Sequence, residues 1–139
     1  MIIPICEKIA REEPRVEFVL VENRPYAEVL EIKQSCDILV DQVFNRGGWG
    51  YGMNSVEAMA LGLVCVTELV PEYDRFLGDH PFVNVTAATL EETLRQLVRD
   101  RDGLEQKKRR SRAWVEKTHG LAAVTDQLYQ YYREVGWLD

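Results

Sequence analysis

Apolar residues recur along this chain first at helical and then at strand spacing, and the alternation runs to about residue 85. In residues 2 to 13, Ile2, Ile5, Cys6 and Ile9 share one helical face, with Glu7, Lys8, Arg11 and Glu12 opposite. This predicts a helix with Pro4 in its first turn. Val16 to Val21 is a β-rich run of buried-strand length, closed by Asn23-Arg24-Pro25. Helical spacing returns in 26 to 35 through Tyr26, Val29, Leu30 and Ile32. Ile38-Leu39-Val40, Leu63 to Thr67 and, more weakly, Phe82 to Val85 are three further strands, with a loop and short helix around Pro71 between the last two. About four short strands alternating with helices predict an α/β fold, a parallel sheet with helices on both faces.

Beyond residue 86 the pattern is helical only. Thr89-x-x-Glu92 reads as a capping box opening a helix to about Arg101, with Leu90, Leu94, Leu97 and Val98 on its inner face. Two more helical stretches cover about 104 to 118 and about 121 to 135, the second through Val124, Leu128 and Tyr131. Residues 101–139 are thus expected to form a helical tail of the same domain, lying on the sheet. Trp114, Tyr129, Tyr131, Tyr132 and Trp137 then read as packing between tail and sheet.

The chemistry concentrates between the strands at 38–40 and 63–67. Gly47, Gly48, Gly50 and Gly52 lead into a short helix carrying Glu57, and Gly62 ends it before Val64-Cys65-Val66. Glycine lets a backbone approach a ligand closely, and the first N–H groups of a helix have no internal partner. Together with the helix dipole they favour an anion such as a phosphate. Asn54 can serve as N-cap, and Glu57 three positions later would complete a capping box that needs no ligand. Gly50-x-Gly52, Ser55 and Glu68 also imitate a dinucleotide fingerprint, without its third glycine.

Composition narrows the partners. At 139 residues the chain is expected to be one domain. A net charge of −6 argues against nucleic acid or an anionic membrane as the main partner. Lys107 to Arg112 is therefore read as a solvated helix face. Cys6, Cys36 and Cys65 are odd in number, show no C-x-x-C spacing and read as reduced core residues of a cytoplasmic protein. His80 and His119 form no ligand pattern with them, so no metal site is expected. His119 reads as a cation closing a helix, and Asp41 either caps the glycine loop or lies at the ligand edge of the sheet. Neither a transmembrane segment nor a signal peptide is visible.

The passage Gly50-Tyr51-Gly52-Met53-Asn54-Ser55-Val56-Glu57-Ala58-Met59-Ala60-Leu61-Gly62, followed by Val64-Cys65-Val66, resembles the donor-binding half of retaining GT-B glycosyltransferases. Their pattern is Glu-Gly-Phe-Gly, four residues, Glu-Ala-Met-Ala, any residue, Gly, then a strand. Cys36 to Asp41 is similar to the strand entering that loop, and Pro81 to Val98 to the last strand and following helix, so most of 15 to 135 fits. The resemblance implies a Rossmann-like domain that binds a nucleotide-diphosphate sugar as donor substrate, with no further cofactor. It assigns Glu57 to the ribose hydroxyls, and Gly50, Tyr51, Gly52, Met53 and Asn54 to the diphosphate and sugar. The chemistry suits these residues, since a carboxylate can accept from a vicinal diol and backbone donors can hold a diphosphate without a metal.

Two departures stand out. The family's first glutamate, which contacts the donor sugar, falls at Trp49, whose ring could instead pack on a pyranose or serve only as a packing residue. The acceptor domain and the first strand of the donor domain, with its phosphate-directed Arg and Lys, have no counterpart here. Residues 1–139 are accordingly expected to be a single incomplete donor-binding domain, inactive as an isolated chain because nothing stabilises the departing diphosphate. No catalytic residue is assigned. A complementing acceptor domain or a homodimer is the expected protein partner. The alternative is a non-catalytic, self-associating module that keeps the fold and uses the vacated strand position.

Overall fold

The computed structural model describes residues 1–44 and 50–139. Its elements run α1 (Ile2–Glu12), α2 (Tyr26–Gln34), β1 (Ile38–Val40), α3 (Met53–Ala60), β2 (Val64–Thr67), α4 (Pro71–Leu77), β3 (Val83–Asn84), α5 (Leu90–Arg99), α6 (Arg101–His119) and α7 (Leu121–Glu134). The three strands form one parallel sheet in the order β1-β2-β3. Ile38, Leu39 and Val40 stand opposite Val64, Cys65 and Val66, and Val66 opposite Val83.

Strand alternation divides the core in two. Val64 and Val66 of β2 turn to one face with Ile38 and Val40, against Cys6 and Ile9 of α1 and Leu90, Leu94 and Leu97 of α5. Cys65 and Leu39 turn to the other, against Met59 of α3 and Val115 of α6. All four residues of β2 are buried, as a central strand covered on both faces requires. The fold is therefore α/β, a small parallel sheet with helices packed on it and a helical C-terminal tail.

The sheet has three strands among the described residues, not about four. Val16 to Val21 forms neither helix nor strand, and although Val16 and Phe18 pack against the core no ladder forms there. A β-rich composition favours an extended backbone; a strand also needs a hydrogen-bonded neighbour. The outer edge of β1 has no ladder partner among the described residues. Val64 N–H donates to Asp37 O at 2.9 Å and Asp41 N–H to Val66 O at 2.9 Å, so Asp37, Leu39 and Asp41 face β2 while Ile38 and Val40 turn their N–H and C=O the other way.

The tail also differs from expectation. α6 supplies Leu104, Ser111 and Val115 to the interior, but α7 buries no residue and packs on α6 rather than on the sheet. Leu121 is 86% exposed, and Val124, Leu128, Tyr129, Tyr131 and Trp137 are exposed as well. Trp114 alone among the tail aromatics reaches the core, and the Tyr132 ring lies tilted against Trp137. The capping box at Thr89 is not made. Thr89 is the N-cap of α5, yet its Oγ1 accepts from Thr86 N–H at 2.9 Å, while Glu92 accepts from Gln96. The chain turns from α5 into α6 at Asp100, whose carboxylate caps the Gly103 N–H at 2.9 Å. No described helix is long and apolar enough to cross a membrane.

Candidate functional site

The site is built around α3, and both ends of that helix are fixed. At its C-terminal end Gly62 adopts φ 87°, Gly62 N–H donates to Met59 O and Leu63 N–H to Ala58 O, each at 3.0 Å. That pair of bonds is a Schellman closure, which favours glycine at the left-handed position. From α6, Arg112 donates to the otherwise free Ala60 carbonyl. At the N-terminal end the cap is Gly52, not Asn54. Asn54 is the second residue of the helix and Ser55 holds the third position, so Glu57 lies two residues beyond the place a capping box requires.

Glu57 instead turns toward α2. Lys33 Nζ donates to its Oε1 and Tyr26 Oη to its Oε2. The carboxylate side chain remains 24% exposed and that of Lys33 only 12%. Burial pushes the Glu57 pKa up, but the hydrogen bonds from Lys33 and Tyr26 and the Lys33 charge outweigh it and hold the group below its ordinary 4.5. The same contact raises the Tyr26 hydroxyl, through its hydrogen bond to Glu57 before all else. Tyr26, expected on the inner face of α2, is 65% exposed, and α2 buries no residue completely. A polar network rather than apolar packing joins it to α3.

That network continues into the mouth of the helix. Lys33 Nζ also donates to Asn54 Oδ1 at 2.6 Å, and Asn54 Nδ2 donates to Asp41 Oδ1 at 3.2 Å. Ser55 Oγ, fully buried, donates to Asp41 Oδ2. Asp41 leaves β1 at its carboxyl end, so this carboxylate stands beside the N-terminus of α3. A Cβ on Gly52 would lie 3.6 Å from Asp41 Oδ2 and 3.3 Å from Gln42 Nε2. The Met53 and Asn54 backbone N–H groups find no acceptor among the described residues. The mouth thus offers backbone donors beside one resident carboxylate, with the Lys33 ammonium bonded into the same turn.

Tyr51 is drawn the other way. Its ring stacks on Phe82 with centroids 4.6 Å apart, meets Trp114 edge-on at 5.6 Å, and its hydroxyl lies 2.8 Å from His119 Nε2. Burial first, and then Tyr73, push its pKa up to about 12. Its backbone, not its phenol, is what it can offer a ligand. His119, expected to close a helix as a cation, is held by Tyr51, and partial burial lowers its pKa below 6.5. Gly50 is pinned by the same cluster, since a Cβ there would stand 2.0 Å from the Tyr73 ring. Met53 is 83% exposed at the mouth.

The loop is entered through Phe44, whose φ of 107° is strained for a residue other than glycine. Glu68 Oε2 accepts its N–H at 2.8 Å. Glu68, the acid that a dinucleotide reading would place on a ribose, is therefore engaged by the Phe44 backbone. Gly47, Gly48 and Trp49 lie outside the described residues. Of the predicted site residues, Gly50 to Asn54 and Glu57 are brought to one helix mouth. Sequence reasoning missed Lys33 and Tyr26, whose only signal was a lysine and a tyrosine on one side of a helix with a weak apolar face. Among the described residues no cluster of three metal-ligating side chains forms. Comparison with protein-family models, with curated proteins and with solved structures finds no match.

Proposed function

We propose that this chain is the nucleotide-diphosphate-sugar-binding portion of a retaining GT-B glycosyltransferase, in which the parallel sheet is a Rossmann-like donor-binding domain. The observation that carries this reading is Glu57. It is ionised, partly exposed and one turn from the α3 mouth, and it is not used as a helix cap. An acceptor-only group in that place suits the two hydroxyls of a ribose. The backbone donors at Met53 and Asn54 suit the diphosphate, and the Lys33 ammonium, paired with Glu57, also donates to Asn54 beside them. Calorimetric titration with uridine diphosphate and guanosine diphosphate tests it. At least one binds, and Glu57→Ala weakens that binding about tenfold or more, the size of one lost charge-assisted hydrogen bond. Absence of heat with both nucleotides at millimolar concentration contradicts the reading.

A second reading, a self-associating module without catalysis, is favoured by one observation. The outer edge of β1 and the β-rich run Val16 to Val21 both lack ladder partners among the described residues. Exposed Val19 and Leu20 add apolar surface there. A concentration-independent dimer by sedimentation, together with no response to either nucleotide, supports this second reading against the first.

A further inference from the structure

We propose that Lys33, together with Tyr26, is the positioning residue of the site: α2 holds the Glu57 carboxylate so that each of its oxygens keeps one acceptor direction for one hydroxyl of a vicinal diol. This inference rests on the reading of Glu57 as the ribose-binding acid. A carboxylate has about four acceptor sites, two on each oxygen. Lys33 takes one on Oε1 and Tyr26 one on Oε2, so the arrangement is symmetric and one site is left on each side. An unanchored glutamate would lose rotamer entropy on binding a diol; this one has already lost it. Lys33 also bonds Asn54 in the first turn, so one ammonium sets the acid and the helix mouth in register.

Among the described residues, the charged and titratable groups facing Glu57 are Lys33 and Tyr26 from α2. Asp41 at the end of β1 reaches it only through Asn54 and Lys33. Removing Lys33 leaves partial burial as the main influence on the acid, and burial favours the protonated form.

The experiment compares the affinity of each nucleoside diphosphate with that of its 2′-deoxy counterpart, in the wild type and in Lys33→Met, Lys33→Arg, Tyr26→Phe and Glu57→Gln. The wild type prefers the ribonucleotide. Lys33→Met lowers that preference about tenfold or more, Lys33→Arg restores most of it, and Tyr26→Phe lowers it in part. Carbon-detected titration of the free proteins then finds the Glu57 carboxyl titrating below 4.5 in the wild type and higher in Lys33→Met. If Lys33→Met is folded and keeps the full ribose preference, the positioning role is overturned and the binding reading stands. If the wild type binds diphosphate with no ribose preference, the assignment of Glu57 falls, and this inference with it. If Lys33→Met does not fold, Tyr26→Phe decides: it removes one hydroxyl from an exposed ring, and an unchanged preference overturns the proposal.

Discussion

Gly62 shows most clearly how one side chain's absence shapes this molecule. Nothing lies within 4 Å of a Cβ placed there, so Gly62→Ala meets no clash and costs only the strain of φ 87°. That strain is worth ~1–2 kcal/mol, and denaturant unfolding is expected to show a midpoint lowered accordingly with an unchanged slope. A loss near zero would mean that the Schellman closure is not formed. This glycine was legible in the sequence because a helix stop leaves a local mark. The role of Tyr51 was not, because its partners Phe82, Trp114 and His119 are distant in the chain and no spacing rule joins them. His119 carries a pH dependence. Its pKa in the fold lies below the ordinary 6.5, so its contribution to stability is complete above 6.5 and is lost as pH falls through the lowered value. The effect is small because the ring is largely exposed. The difference in melting temperature between wild type and His119→Gln is expected to shrink from pH 7.5 to pH 5.5. A difference constant across that range would rule the Tyr51–His119 contact out as a titrating element.

The elements differ in how they are held. β2 and α3 bury residues completely, with Val64, Cys65, Val66, Ala58 and Met59 closed off from solvent, whereas α2 and α7 bury none. Local opening follows buried apolar contact, so amide exchange is expected to be fast in α2 and α7 and slow in α3 and β2. Uniform protection across all four would contradict the packing described. The seven helices and three strands among the described residues were largely visible as periodicity, because amphipathic spacing is a local property. The failures share a cause. Val16 to Val21 has strand composition without a strand partner, and the Thr89 box and the Asn54 cap have the right residue types in a backbone that spends them elsewhere. α2 illustrates the converse, since its helix was legible but its attachment is the polar chain Tyr26–Glu57–Lys33–Asn54–Asp41 rather than an apolar face.

Across the whole molecule, one sheet carries α1 and α5 on one face and α3 and α6 on the other, and it delivers the carboxyl end of β1 and the start of α3 to one place. Open parallel sheets bind ligands at such ends. The net charge of −6 makes the local Lys33 ammonium matter more there, since the overall field repels an anion. The place of the candidate site was proposed from the sequence, because glycines and an acid cluster between two apolar runs. Its wiring was not, because α2 reaches it through space rather than along the chain. The direct measurement is a map of amide shifts on adding uridine or guanosine diphosphate. Shifts confined to residues 50–57, with Tyr26 and Lys33 of α2 moving alongside, are the predicted result. An unchanged spectrum at millimolar nucleotide, or shifts centred on α7 or the β1 edge instead, would contradict the account.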